Sequence, residues 1–152
     1  MFKDVVTMNE LFGNPKGDLA AVDFERLKSQ MANVGDELAE FQDALAARDI
    51  EGMRDALCDI MVFTLGGCHL MGADADADMR AVFNSQMSKF CANDEELEAT
   101  KEKYRRLGVS FYEEGEFPCK YLKCDTDITV GKDEYRKGKF LKGINYAPPV
   151  FA

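Results

Sequence analysis

The chain has 152 residues, of which 46% are hydrophobic and 31% are charged, as in folded globular domains and unlike disordered or collagen-like chains. The net charge is −9, but it is uneven: residues 1–100 carry 8 Lys and Arg against 20 Asp and Glu, whereas residues 101–152 carry 11 against 8. An acidic main body argues against a protein that grips a nucleic-acid polymer, and it suits one that gathers divalent cations.

The N-terminus and the cysteines predict where the protein resides. No basic leader followed by a long apolar run is present near Met1, and the longest apolar stretch, residues 60–71, is shorter than the ~20 residues that a membrane span needs. Five cysteines, an odd number, fit reduced thiols better than a disulfide framework. We therefore expect a cytoplasmic protein without a membrane partner.

The first two thirds of the chain predict helices. Residues 5–12 read as a short helix, and residues 23–47 read as a long one with apolar residues at alternating spacings of three and four: Phe24, Leu27, Met31, Val34, Leu38, Phe41 and Leu45. After a two-residue break, residues 50–71 form a second long helix, apolar nearly all round in its C-terminal half, which should lie centrally or in a subunit interface. Residues 78–90 and 93–107 predict two further helices.

The last third of the chain has a different pattern. Short β-prone runs separated by turns predict a small antiparallel sheet or hairpin, over residues 109–112, 119–124, 128–130 and 140–144. The expected fold is therefore mainly α. A helical domain would cover residues 1–107, and a small β-rich extension packed on it would cover residues 108–152.

Four carboxylates on the two long helices form the candidate site. Glu37 and Glu40 are three residues apart and Asp55 and Asp59 are four apart, so each pair shares a helix face. A short link makes the helices antiparallel neighbours, which places Glu40 and Asp55 at similar heights. An ionised Asp59 between apolar neighbours is costly unless it is paired or binds a metal. Oxygen ligands of this kind select Mg²⁺ or Mn²⁺, and the alternative interpretation is a solvated helix face.

The acidic pattern resembles that of the MazG-like all-α nucleoside triphosphate pyrophosphohydrolases. Their signature is ExxE, here Glu37 to Glu40, followed by a second acidic motif that ends in Asp, here Asp59. The Glu of that second motif falls on Ala56, and Asp55 substitutes from the neighbouring position.

The likeness extends beyond the acidic motifs. Residues 66–72 continue it, residues 82–89 look like the family's "RSNMSK" segment with Gln86 in place of Asn, and residues 139–146 are similar to a C-terminal extension of phage members. The resemblance implies a MazG-like antiparallel helical bundle that assembles as a dimer or tetramer.

The resemblance also implies an activity, the hydrolysis of a nucleoside triphosphate to the monophosphate and pyrophosphate, with two or more Mg²⁺ ions per site or Mn²⁺ as a substitute. The implied metal ligands are Glu37, Glu40, Asp55 and Asp59, and one of these or Asp36 would be the base for the attacking water. The expected phosphate contacts are Lys89, Ser88 and Gln86. The expected base contacts are Asn9, Phe12, Gln30 and Asn33.

Two questions stay open from the sequence. We favour a deoxynucleotide substrate, either for general control of the nucleotide pool or as dGTP in a phage 2-aminoadenine pathway, which would place the enzyme in the host cytoplasm. The alternative function is a non-catalytic, metal-stabilised oligomerisation or binding module. For His69, the only histidine, we expect a role in helix packing or capping rather than in catalysis.

Overall fold

The structure, a computed structural model, describes residues 1–151 and confirms a mainly α fold with a small C-terminal strand region. The helices are α1 (Phe2–Leu11), α2 (Phe24–Ala47), α3 (Ile50–Met71), α4 (Ala75–Met87) and α5 (Asp94–Arg106). The strands are β1 (Phe111–Glu114), β2 (Tyr121–Cys124), β3 (Ile128–Val130), β4 (Asp133–Tyr135) and β5 (Phe140–Leu141). The chain divides into two compact units, Met1–Asp78 and a second that begins at Met79.

Local capping residues set the helix boundaries. The bounds of α3 match the prediction because the Asp49 side chain accepts hydrogen bonds from the first turn and Gly72, at φ +83°, ends the helix in the left-handed conformation. Helix α4 begins three residues earlier than predicted. The Asp74 side chain caps it by accepting from the Asp76 and Ala77 backbone N–H groups, although the acidic run had predicted a link.

In the first unit, α2 and α3 form an antiparallel pair. A Cβ added to Gly52 would lie 3.2 Å from the Cβ of Ala44, and one added to Gly66 would lie 2.6 Å from Nε2 of Gln30. At both contacts, 44 with 52 and 30 with 66, the residue numbers of the two facing positions add up to 96. This register also predicts which acidic residues of the two helices face each other.

The apolar stripe of α2 divides into two lines with seven-residue spacing. Leu27, Val34 and Phe41 are half-buried, whereas the second line is 38–75% exposed and consists of Phe24, Met31, Leu38 and Leu45. No residue of α2 is fully buried. We call the exposed line the outer seam. Apolar residues spaced seven apart are the pattern by which one helix packs against another.

The C-terminal half of α3 lies at the centre of the first unit, as expected. Gly66, Gly67, His69 and Leu70 are buried, and Nε2–H of His69 donates to the backbone oxygen of Asn14 at 2.8 Å, in agreement with a packing role. No single helix among residues 1–151 has both the length and the apolarity to span a membrane, although α3 and α4 taken together across their bend meet both criteria.

The second unit packs α5 against strands. β2 is the middle strand of an antiparallel sheet ordered β1-β2-β5, and β3 pairs with β4, a strand that the sequence did not predict. The core contains residues from helix and sheet alike: Cys91, Leu97, Tyr104, Val109, Leu122, Cys124 and Leu141. The domain boundary predicted at 107/108 separates helix from strand within this unit and does not coincide with the division at Met79.

Candidate active site

The acidic residues of α2 and α3 face each other across the helix pair. In the register of the pair, Glu37 lies opposite Asp59, and Glu40 lies opposite Ala56, next to Asp55. Glu40 and Asp55 also line one open groove with a volume of about 410 Å³. The two pairs that the sequence predicted are thus brought to the same stretch of the helix pair.

The charge of this cluster is not compensated. Partial burial raises the pKa of the Glu37 carboxyl, and the charges of Glu40, Asp59, Asp55 and Asp36 raise it further, in that order. None of these five carboxylates has a Lys, Arg or His partner within ion-pairing distance in the described part of the chain. These carboxylates repel one another, and a divalent cation bound among them would relieve that repulsion.

The chemistry of the donor set fits a hard cation. Five carboxylates and no sulfur or imidazole donor form the cluster, which suits Mg²⁺ or Mn²⁺. Nevertheless, no three His, Cys, Asp or Glu side chains of residues 1–151 stand close enough together to hold one ion. Rotation about the side-chain torsions is therefore needed to bring the oxygens onto a common ion.

Two further acidic residues line the groove, and the sequence had not singled them out. Asp43 follows Glu40 by three residues, so the same spacing that pairs Glu37 with Glu40 could have identified it. Asp49 has a structural role instead, because its Oδ1 accepts from the N–H groups of Glu51 and Gly52 at 3.1 Å.

Two of the expected base contacts meet at Gly66. A Cβ on Gly66 would lie 2.6 Å from Nε2 of Gln30 and 3.4 Å from Nδ2 of Asn9, so a side chain at this position would displace the Gln30 amide. These amides are engaged within the protein. Asn9 is buried and donates to the Val5 backbone oxygen at 2.9 Å, and Gln30 donates to that of Phe63 at 3.0 Å.

The other two expected base contacts differ in accessibility. Phe12, just after α1, is 74% exposed. Asn33 is half-buried on α2, one turn before Glu37. The first unit therefore holds all four expected base contacts, but it brings together only Asn9 and Gln30.

The expected phosphate contacts lie in the second unit. Nζ of Lys89 donates to Oε1 of Gln86. The hydroxyl of Ser88 donates to the Ser85 backbone oxygen at 2.8 Å and accepts from the backbone N–H of Ala147 at 3.0 Å. The N–H of Gly143 donates to the backbone oxygen of Lys89 at 2.9 Å. The segment 86–89 is thus held by residues far along the chain.

Comparison with known proteins identifies a family. The family model described as phosphoribosyl-ATP pyrophosphohydrolase matches residues 7–86, slightly more than half of the chain and a range that includes α2, α3 and the whole carboxylate cluster. No curated protein and no solved structure matched. The chain therefore belongs to the phosphoribosyl-ATP pyrophosphohydrolase family, part of a MazG-like all-α superfamily whose members hydrolyse phosphoanhydride bonds in nucleotides.

Proposed function

We propose that this protein is a metal-dependent nucleotide pyrophosphohydrolase that converts a nucleoside triphosphate and water into the monophosphate and pyrophosphate. The observation that carries the proposal is the uncompensated charge around Glu37, whose pKa is raised by burial and by four neighbouring carboxylates. The family match over the same helices supports hydrolysis of a phosphoanhydride bond.

The carboxylates would divide the work of the reaction. Glu37, Glu40, Asp55 and Asp59 would hold two or more Mg²⁺ ions, or Mn²⁺, which when bound supply charge neutralisation for the phosphates and for the transition state. Water hydrolyses the phosphoanhydride bond between the α- and β-phosphates, which releases the monophosphate and pyrophosphate. Asp36, or one of the four ligands, accepts the proton of the water.

The charge of the first unit explains why a cation is needed. Residues 1–78 carry 6 Lys and Arg against 16 Asp and Glu. A triphosphate carries about four negative charges, so this surface repels it unless divalent ions stand between the two.

Recognition of the substrate rests on the family resemblance. Lys89, Ser88 and Gln86 stay the predicted phosphate contacts, with Lys89 as the point charge. Phe12 is an exposed aromatic ring able to stack on a base, whereas the amides of Asn9 and Gln30 already have partners. We favour a deoxynucleotide, with dGTP in a phage pathway as the narrower hypothesis, and the family match makes phosphoribosyl-ATP the second candidate substrate.

We further propose that the protein works as a homodimer, or as a tetramer built from two dimers. The outer seam of α2 is exposed, and Ile50, Leu57 and Met61 of α3 are 44–62% exposed. An exposed apolar stripe along a helix is usually covered by another helix, and a second copy of this chain provides the same heptad pattern.

The cytoplasm is the compartment that we propose, or the host cytoplasm if the protein is encoded by a phage. All five cysteines are free, and Cys91 and Cys124 are buried in the core of the second unit. Unpaired buried thiols are typical of proteins that fold under reducing conditions.

The deciding experiment is a substrate panel with matched variants. Release of pyrophosphate and monophosphate is measured for each common NTP and dNTP and for phosphoribosyl-ATP, with Mg²⁺, with Mn²⁺ and with EDTA. Glu40→Gln and Asp59→Asn should abolish turnover without lowering the melting temperature, while Glu25→Gln, near the start of the same helix α2 as Glu40, should leave turnover intact.

The outcomes separate the hypotheses. Turnover of phosphoribosyl-ATP alone would replace the proposed substrate but keep the reaction. Absence of pyrophosphate from every substrate would refute the enzyme and favour the non-catalytic metal-stabilised module. In that case Glu40→Gln would spare or raise stability, since it removes one of the repelling charges.

A further inference from the structure

A second cavity, of about 330 Å³, lies within the second unit and shares no residue with the carboxylate cluster. Its walls come from the last turns of α5, from β4 and from the segment around β5. Tyr104 and Leu141 contribute to it and are themselves buried in the core. The cavity is therefore part of the packed unit, and its volume is at the small end of the range for ligand pockets.

Three lysines line this cavity, and none of them has a carboxylate partner. Lys103, Lys139 and Lys142 surround it together with a single acidic residue, Asp133, and no ion pair involves any of the four within residues 1–151. The net charge around the cavity is therefore positive.

Six other cationic side chains of this unit do have a carboxylate partner. Each of the following side chains lies within 4 Å of a Glu carboxylate: Lys101, Arg105, Arg106, Lys120, Lys123 and Arg136. Three of the seven cations of this unit that lack a carboxylate partner among the described residues therefore line one concave surface, and a concave wall focuses the field on whatever enters.

An aromatic ring lies near each of the three ammonium groups, and the Lys139 ammonium also donates to the backbone oxygen of Glu134. Nζ of Lys103 lies 5.1 Å from the ring centre of Tyr104, Nζ of Lys139 lies 5.2 Å from that of Tyr135, and Nζ of Lys142 lies 4.0 Å from that of Tyr146. Cation–π contacts restrict long side chains that would otherwise be mobile. Binding an anion therefore costs less ordering entropy than it would with three free lysines.

The backbone on one side of the cavity is also fixed. The Tyr104 hydroxyl donates to the Lys142 backbone oxygen at 3.1 Å, and burial raises the pKa of Tyr104 to about 12, so the phenol keeps its proton at physiological pH. The rings of Tyr104 and Tyr135 meet edge to face with centres 6.0 Å apart. Tyr104 therefore fixes the backbone of Lys142 and packs against the ring of Tyr135, beside which the Lys139 ammonium lies.

We propose that this cavity binds a small phosphorylated anion. Lysine ammonium groups bind phosphate oxygens as point charges, and three of them around a pocket of this size suit one or two phosphate groups. The anion could be inorganic phosphate or pyrophosphate, or the phosphate of a mononucleotide, and Asp133 is placed to accept from a sugar hydroxyl in the last case.

The test is isothermal titration calorimetry on the full chain, in EDTA so that the carboxylate cluster holds no divalent ion. The probes are inorganic phosphate, pyrophosphate and AMP. The double variant Lys103→Gln/Lys142→Gln should weaken binding about tenfold or more, as expected for the loss of charge-assisted hydrogen bonds. The matched control, Lys132→Gln/Lys137→Gln, removes two unpaired lysines of the same unit that do not line the cavity, and it should retain wild-type affinity.

Every outcome bears on the proposal. Binding of phosphate or pyrophosphate as tight as that of AMP identifies an inorganic anion site, and a preference for AMP identifies a nucleotide site. Absence of saturable binding by all three probes would overturn the proposal. So would an equal effect, or no effect, of the two double variants, because the anion would then be held by general surface charge or elsewhere. Thermal melts of both variants establish that each is folded.

Discussion

Replacing one leucine of the outer seam should weaken self-association by a calculable amount. Leu38 is 48% exposed, and full burial of a leucine side chain contributes ~1.5–3 kcal/mol. Covering the exposed half therefore contributes about 0.7–1.5 kcal/mol per subunit. A symmetric dimer contains the residue twice, so Leu38→Gln should cost about 1.5–3 kcal/mol, which raises the dimer dissociation constant roughly tenfold to 100-fold.

The chain offers a closely matched control for this substitution. Leu19 is 52% exposed but lies in the loop between α1 and α2, outside the seam. Sedimentation velocity over a dilution series should show a shifted monomer–dimer midpoint for Leu38→Gln and the wild-type midpoint for Leu19→Gln. If both variants dissociate alike, or if the wild type is monomeric at every concentration, the seam is not a subunit interface.

Two further substitutions test the energetics of each unit. The raised pKa of Glu37 means that the folded state disfavours the ionised carboxylate. The protonated carboxyl therefore stabilises the fold below its ordinary pKa of 4.5, and this contribution is lost as the pH rises. Glu37→Gln should melt above the wild type at pH 7 in EDTA, and the difference in melting temperature should shrink in acid. A pH-independent gain in differential scanning fluorimetry would contradict this cause. In the second unit, the buried Thr100 hydroxyl accepts from the Ile144 N–H at 2.9 Å and donates to the Glu96 backbone oxygen at 2.7 Å. Thr100→Val should therefore cost ~1–3 kcal/mol in urea unfolding, and Thr100→Ser, which keeps the hydroxyl, should cost less.

The parts of the fold that the sequence predicted well are those with local signals. Helix α3 has the bounds predicted from the two-residue break before it and from Gly72 after it, and both signals lie next to the helix in the sequence. Strand β4 was missed since Asp133 and Glu134 have low β-propensity, and only its pairing with β3 makes it a strand.

The stripe of α2 shows where periodicity reaches its limit. Spacings of three and four predict one apolar face, but they contain two heptad lines. The line of Leu27, Val34 and Phe41 is half-buried, whereas the line of Phe24, Met31, Leu38 and Leu45 is more exposed. Which line remains exposed depends on the crossing of two helices, and no single-helix pattern contains that information.

The candidate site divides in the same way. The four carboxylates could be predicted because i, i+3 and i, i+4 spacing fixes a helix face, and Asp43 was accessible to the same reasoning. The distant partners of Ser88 and Lys89 were not, since they are backbone groups of Ala147 and Gly143, more than 50 residues away.

That separation also has a consequence for the timing of synthesis. The Ser88 hydroxyl obtains its N–H partner from a residue 59 positions later, and ribosomes add ~5–20 residues per second, so the segment waits about 3–12 s for it. The pairing of α2 with α3 needs no such delay, because the two helices follow each other directly in the chain. A nascent chain that stalls before Gly143 would therefore carry the helix pair while the segment 86–89 still lacked the contacts that hold it.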